Sequence, residues 1–364
     1  FTGPSPVVDL KAESTGVTSV TLKWVVNDSA SDTYTYRIEV VNGINGTPVE
    51  NRTFSDTKAE ITDLIPGTLY NFTVFAVAAD NETEGEGSST DLYTRPSQVH
   101  DLKAESIGVT SVTLKWVVND SASDTYTYRI EVVNGINGTP VENRTFSDTK
   151  AEITDLIPGT LYNFTVFAVA ADNETEGEGS SIDLYTRPSQ VHDLKAESIG
   201  VTSVTLKWVV NDSASDTYTY RIEVVNDTFV ENRTFSDTKA EITDLIPGTL
   251  YNFTVFAVAA DNETEGEGSS IDLYTRPSRV LDLKAESIGV TSVTLKWVVN
   301  DSASDTYTYR IEVVNDTFVE NRTFSDTKAE ITDLIPGTLY NFTVFAVAAD
   351  NETEGEGSSI DLYT

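Results

Sequence analysis

Neither cysteine nor methionine occurs in the 364 residues, and histidine occurs only twice. Without cysteine there is no disulfide framework, no thiolate metal site and no thiol nucleophile. Each folded unit must therefore stand on its core alone. Cysteine absence leans towards the cytosol, yet many sandwich domains that need no disulfide are secreted, so other features decide the compartment. Basic charge is also scarce: 24 Lys+Arg stand against 58 Asp+Glu, a net charge of −34. Phosphate binding needs a basic face, so nucleic acid is excluded as a partner, and the acidity reads as a soluble, mutually repelling surface. No apolar window reaches about 18 residues, and no signal-peptide pattern opens the chain. Any membrane attachment is expected through a span outside this sequence. Phe1 in place of an initiator methionine reads as a processed chain or an excised fragment.

What is present is repetition. Trp24, Trp116, Trp208 and Trp297 mark four near-identical copies spaced by 92, 92 and 89 residues. The last spacing is shorter because "NGINGTPVENRTF" (42–54) contracts to "NDTFVENRTF" in the third and fourth copies. Self-similarity at a fixed period sets the domain count. Four domains are expected, at 6–96, 97–188, 189–277 and 278–364.

Within the second copy, "SVTLKWVV" (111–118) alternates Val112, Leu114 and Trp116 on one face with Thr113 and Lys115 on the other. "TYTYRIEVV" (125–133) places Tyr126, Tyr128, Ile130 and Val132 inward and Thr127, Arg129 and Glu131 outward. Such alternation is the signature of a half-buried strand, and "NDSASD" between the two is a loop by composition. "AEITDLIPGTLYNFTVFAVAA" (151–171) reads as a short strand, a Pro158-Gly159 turn and a long strand. No helical period appears. The pattern predicts an all-β chain of antiparallel β-sandwiches with cores centred on the four tryptophans. On the long strand, Tyr162, Phe164, Val166 and Ala168 point inward, so Asn163 and Thr165 point outward. Phe167 is left facing out, to be covered by a glycan or by a neighbouring side chain.

"LIPGTLYNFTVFAV", preceded by a strand tryptophan and a "YRIEV" strand, resembles the fibronectin type III module across essentially the whole chain. The resemblance implies four tandem immunoglobulin-like sandwiches. It also implies a tyrosine corner at Tyr70, Tyr162, Tyr251 and Tyr340, each hydroxyl bonding back to the chain a few residues earlier. "PSPVVDLKAESTGVTSVTLKWVVNDSASDTYTYRIEV" together with "DNETEGEG" further resembles the ectodomain repeats of the R3 group of receptor-type protein tyrosine phosphatases.

The sharpest chemical signal is the N-x-[ST] acceptor for N-linked sugar. In the second copy Asn119, Asn137, Asn143, Asn163 and Asn173 begin such triplets and only Asn134 does not. Hydroxyl residues at their frequency here would follow an asparagine by chance about one time in five. The equivalent acceptors are Asn27, Asn45, Asn51, Asn71 and Asn81 in the first copy, Asn211, Asn226, Asn232, Asn252 and Asn262 in the third, and Asn300, Asn315, Asn321, Asn341 and Asn351 in the fourth. Asn71, Asn163, Asn252 and Asn341 are expected to have exposed side chains. His100 and His192 occupy equivalent positions where Val8 and Leu281 stand in the outer copies, which reads as strand-edge residues near domain junctions. "ADNETEGEGSS" (79–89) clusters acids but lacks the D-x-D-x-D-G order of a calcium loop, and no Arg-Gly-Asp tripeptide occurs. With no convergent acid, base and nucleophile, no catalytic, cofactor or metal residue is assigned.

"YTRPSQVHDL" (185–194) joins domains with few spare residues, and its proline restrains both itself and the preceding arginine. A short, stiff joint and an extended array are expected, each domain adding roughly 30–35 Å. The function expected is that of a glycosylated extracellular spacer and recognition segment of a cell-surface receptor, binding extracellular protein ligands or lateral receptor partners. If the narrower resemblance holds, phosphotyrosine hydrolysis belongs to a separate cytoplasmic domain. A non-enzymatic adhesion or matrix protein and an engineered array of copied modules are the alternatives.

Overall fold

The computed structural model describes residues 3–364 and is all-β, with single 3₁₀ turns in place of helices. The chain divides into two compact units. One runs to Leu156 and adds Thr160–Thr186; the other is Ile157–Gly159 with Arg187–Thr364. Each unit holds two sandwiches.

In the first sandwich the strands are β1 (Val8–Thr15), β2 (Val20–Val25), β3 (Thr35–Asn42), β4 (Pro48–Phe54), β5 (Lys58–Ile61), β6 (Leu69–Val77) and β7 (Ser88–Tyr93). One sheet has the order β1-β2-β5 and the other β4-β3-β6-β7, and every pairing is antiparallel. The same seven strands recur over His100–Tyr185, His192–Tyr274 and Leu281–Tyr363. The "NDSASD" loop carries a 3₁₀ turn at its end, Ser31–Thr33 in the first copy, closed by the Thr33 hydroxyl donating to the Ala30 carbonyl at 2.8 Å.

The alternation of apolar and polar residues is what builds these layers. Val20, Leu22 and Trp24 of β2 and Tyr36, Ile38 and Val40 of β3 are buried, while Lys23 is exposed and Arg37 and Glu39 are half-buried. On β6 the buried set is Tyr70, Phe72, Val74, Ala76 and Val77. Trp24 is 1% exposed and meets Tyr36 edge-on, with ring centroids 5.3 Å apart. Trp116, Trp208 and Trp297 are equally buried against Tyr128, Tyr220 and Tyr309. Among the described residues no hydrogen-bond partner is found for the four indole Nε1 groups. An unpaired buried donor costs about 1–3 kcal/mol, so the indoles persist through the apolar area they bury.

The tyrosine corner closes each long strand. The Ile65 N–H donates to the Tyr70 hydroxyl at 2.9 Å, and Ile246 to Tyr251 and Ile335 to Tyr340 do so at the same distance. Tyr162 is buried in the same place.

Joints within each unit follow one plan. In the first unit Pro96 is buried. The Arg95 N–H donates to the Gly16 carbonyl at 2.9 Å, and Arg95 Nε to the Glu176 carbonyl at 2.7 Å. The Ser97 N–H and the Tyr126 hydroxyl both donate to Asp120 Oδ2 at 2.8 Å. The Tyr126 ring lies over Gly67, whose φ is +58°; a Cβ there would stand 1.9 Å from the phenol oxygen. In the second unit Ser278, Asp301, Tyr307 and Gly248 repeat the arrangement at matching distances.

Trp116→Ala removes the centre of one core, at a cost of about 3–5 kcal/mol to that sandwich. The expected outcome in denaturant unfolding followed by tryptophan fluorescence and circular dichroism is one early-melting module with the other three unmoved.

Candidate glycan acceptors and the outer face of the four-stranded sheet

Strand β6 turns Asn71, Thr73 and Phe75 to the outside, as period two requires. Asn71 is nevertheless half-buried, which corrects the expectation of an exposed side chain. The cause is pairing across the sheet. Asn71 lies opposite Asp91 of β7 and donates Nδ2 to Asp91 Oδ1 at 2.8 Å. Thr73 Oγ1 donates to Asn71 Oδ1 at 3.1 Å and stands 2.8 Å from Ser89 Oγ. Asn163, Asn252 and Asn341 are half-buried in the same way, on Asp183, Asp272 and Asp361. An amide nitrogen carries two hydrogens, so one N–H is left for attachment while the other is held by the aspartate.

The outward phenylalanine is covered by a neighbouring side chain. Arg37 faces Phe75 across the β3–β6 pairing, with its guanidinium carbon 4.1 Å from the ring centroid. Glu84 grips the same guanidinium with two oxygens, at 2.7 and 2.8 Å, and Asn51 Oδ1 accepts from it at 3.3 Å. Stacking on a ring and a two-point carboxylate grip are the geometries a planar guanidinium favours. Arg129, Arg221 and Arg310 repeat this stack on Phe167, Phe256 and Phe345. The Arg129 guanidinium holds the Glu176 carboxyl below the ordinary range of its type.

The remaining acceptors occupy loops and edges. Asn27, Asn45, Asn51, Asn81, Asn119, Asn137, Asn143, Asn173, Asn211, Asn232, Asn262, Asn300, Asn321 and Asn351 are exposed, whereas Asn226 and Asn315 are half-buried. The half-buried pair sits in the contracted hairpin, where Asn226 Oδ1 accepts from the Thr228 and Phe229 N–H groups at 2.8 and 3.0 Å. In the longer hairpin Asn45 Oδ1 accepts from the Thr47 N–H at 3.0 Å. Asn119 Nδ2 lies 3.0 Å from His100 Nε2, and Asn211 the same distance from His192.

The acidic loop folds around its own aspartate. Asp80 accepts from the Glu82 and Thr83 N–H groups at 3.0 and 2.9 Å and from the Thr83 hydroxyl at 2.7 Å. These bonds bring its carboxyl down to about 2. Asn81 next to it takes a φ of +57°, a conformation asparagine tolerates better than most residues. Among the described residues no group of three or more His, Asp or Glu is placed to hold a metal ion.

Sequence reading missed the arginine stack and the aspartate of the joint. An outward arginine and an outward phenylalanine on strands that pair in register were the available signal for the first.

The family described as Fibronectin type III domain matches residues 4–91, 97–183, 189–272 and 276–360. Within the R3 group, the segments named above look especially like the eta type. Receptor-type tyrosine-protein phosphatase eta from Gallus gallus is 63% identical over 100% of this chain and 25% of its own length. The Mus musculus protein of the same name is 34% identical over 85% of this chain and 24% of its own. Tenascin-R from Rattus norvegicus is 23% identical over 83% of this chain and 22% of its own. The chain thus spans about a quarter of the length of the relatives it matches.

Arg129→Ala bares Phe167 and strips Glu176 of its partner, with an expected loss of about 1 kcal/mol at neutral pH. Glu176 has a depressed folded pKa, so its contribution is present above the unfolded value of about 4.3 and is lost as pH falls through the folded one. The difference in stability between wild type and Arg129→Ala should therefore shrink in acid, as read by thermal melts at neutral and at acid pH.

Proposed function

The chain belongs to the fibronectin type III family, and from that premise we propose that it is an extracellular, N-glycosylated spacer and recognition segment of a receptor. Its modules fall at 6–96, 97–188, 189–277 and 278–364. The parent is of the receptor-type tyrosine phosphatase kind, with phosphotyrosine hydrolysis carried by a separate cytoplasmic domain and membrane attachment by a span outside this segment. The observation that carries the reading is the 63% identity over the whole chain to a receptor-type phosphatase of the eta type. The lack of cysteine supports the division of labour, since a thiol-dependent phosphatase needs a thiolate to attack phosphorus. The sandwiches bury their tryptophans and the inward tyrosines and phenylalanines of their strands, and spend much of their outward faces on sugar acceptors, loops and joints. Such a segment acts by binding extracellular proteins or lateral receptor partners, and by holding other parts of the receptor at a distance.

Expressed in a secretory eukaryotic cell, the chain should lose mass on treatment with an N-glycosidase, with acceptors in every module occupied. An unchanged intact mass would reject the secreted reading together with the sites.

The purified four-module chain should release no phosphate from a phosphotyrosine peptide above buffer, while deleting it from the parent receptor alters ligand binding or receptor pairing. Hydrolysis by the purified chain would defeat the proposal, and deletion without effect on either readout would reduce the segment to passive length.

A further inference from the structure

The joints inside the two units show one contact made twice: a Gly of an Ile-Pro-Gly turn seated under a tyrosine whose hydroxyl is tied to an aspartate that also holds the linker. Where the contact is made, the parts are sealed from water. Tyr126 and Tyr307 are 3% exposed, and Gly67 and Gly248 are buried.

The first sandwich carries the tyrosine half of this contact already assembled. The Tyr34 hydroxyl donates to Asp28 Oδ2 at 2.6 Å, and the Ser5 N–H donates to the same oxygen at 3.2 Å. Pro4 is buried, and its carbonyl oxygen lies 2.6 Å from where a Cβ of Gly85 would stand. The Pro96 carbonyl lies at the same distance from that point on Gly177. The segment leading into β1 is thus laid on its sandwich as the Pro96 linker is laid on the next. The Tyr34 ring is half-exposed. At the far end of the second unit the other half stands open. Gly337 has a φ of +65° with nothing within 4 Å of its Cβ position, and both it and Pro336 are exposed.

We infer that the Asp28–Tyr34 corner is a docking surface for a further type III module, which it receives through that module's Ile-Pro-Gly turn. The occupant follows from the two filled copies of the same corner: residues identical to those around Tyr34 close on a glycine with positive φ, where any Cβ would strike the phenol. The hydroxyl and the linker are already held in the docked arrangement, so little ordering is left to do on binding. The relatives are also long enough to supply such modules, the chain spanning only 25% of the Gallus gallus protein. The inference deepens the spacer reading and rests on it for the presence of further modules, but its test involves neither sugar nor catalysis.

The test is hydroxyl-radical footprinting of the unglycosylated chain with and without an added module, a copy of residues 189–276 placed ahead of Pro4 so that Thr-Arg-Pro-Ser spans the new joint. The tryptic peptide Trp24–Arg37 has the same sequence in all four modules. Val25→Ile, at an exposed position, therefore gives the first module's peptide its own mass. Oxidation at Tyr34 should be high in the four-module chain and should fall, in the five-module chain, to the level that the pooled peptide from the other modules shows in the four-module chain, where Tyr126, Tyr218 and Tyr307 are all buried. Gly→Ala at the copied Gly248 should restore it. Gly337→Ala, which has the same backbone strain and no phenol above it, should change nothing and controls for folding. Equal oxidation of Tyr34 in the four- and five-module chains would overturn the inference, as would indifference to the Gly→Ala change. Protection of Tyr34 that rises with protein concentration in the four-module chain, with a matching rise in sedimentation coefficient, would overturn it in favour of a second copy as the occupant.

Discussion

Each sandwich depends on the burial of one tryptophan between two sheets that no disulfide holds together. Trp24 can fill that space only if β2 keeps strict alternation, because a slip of one residue would exchange Trp24 for Lys23 at the centre. The same alternation on β3 and β6 sets Tyr36 against the indole and adds Tyr70 and Phe72 to the same core. Once these inner positions are committed to packing, chemistry is confined to the outward residues of the strands, the loops and the joints. That confinement explains why the acceptor asparagines, the stacked arginines and the joint aspartates all lie where the core makes no demand.

The strands, their inward residues and the buried tryptophans were legible in the sequence because each depends on a period of two within a few residues. The outward direction of Asn71 was legible for the same reason, but its partial burial was not. That burial comes from Asp91, 20 residues away, and so depends on the register between β6 and β7. The arginine stack is further removed: Glu84 reaches Arg37 across 47 residues and from a loop. The joint is less legible still. Asp120 sits in "NDSASD", a segment that composition marks only as loop, and nothing local shows that it holds both the preceding linker and a tyrosine.

Near-identical copies turn the chain into its own set of controls. Tyr34 and Tyr126 lie in the same local sequence, yet Tyr34 is half-exposed and Tyr126 buried. The difference is therefore the work of the neighbouring module and of no local feature. Burial and the Asp120 hydrogen bond together push the Tyr126 phenol up. The hairpin gives the complementary comparison. Contraction of "NGINGTPVENRTF" draws the acceptor at Asn226 into a turn that uses its oxygen three times, whereas Asn45 at the tip of the longer hairpin stays exposed.

Repetition of this fidelity carries a hazard, because a strand of one module can pair with the sheet of the next as readily as with its own. The surface charge acts against the part of that hazard that involves pairing out of register. The lysines of each module lie in a row across one sheet, Lys11 opposite Lys23 and Lys23 opposite Lys58 in the first, with Glu13 bridging to Lys58. Like charges placed opposite one another weaken a pairing, and only the correct register brings Glu13 to relieve them. At the edge of the other sheet β4 begins with Pro48, which lacks an N–H to offer a foreign strand, and carries Asn51 on its outward side. A sugar at Asn51 would stand on the strand where a neighbouring module would have to add, the same protection that charges and prolines give to edge strands. Sugars attached there before folding is complete would act at the stage when swapping occurs.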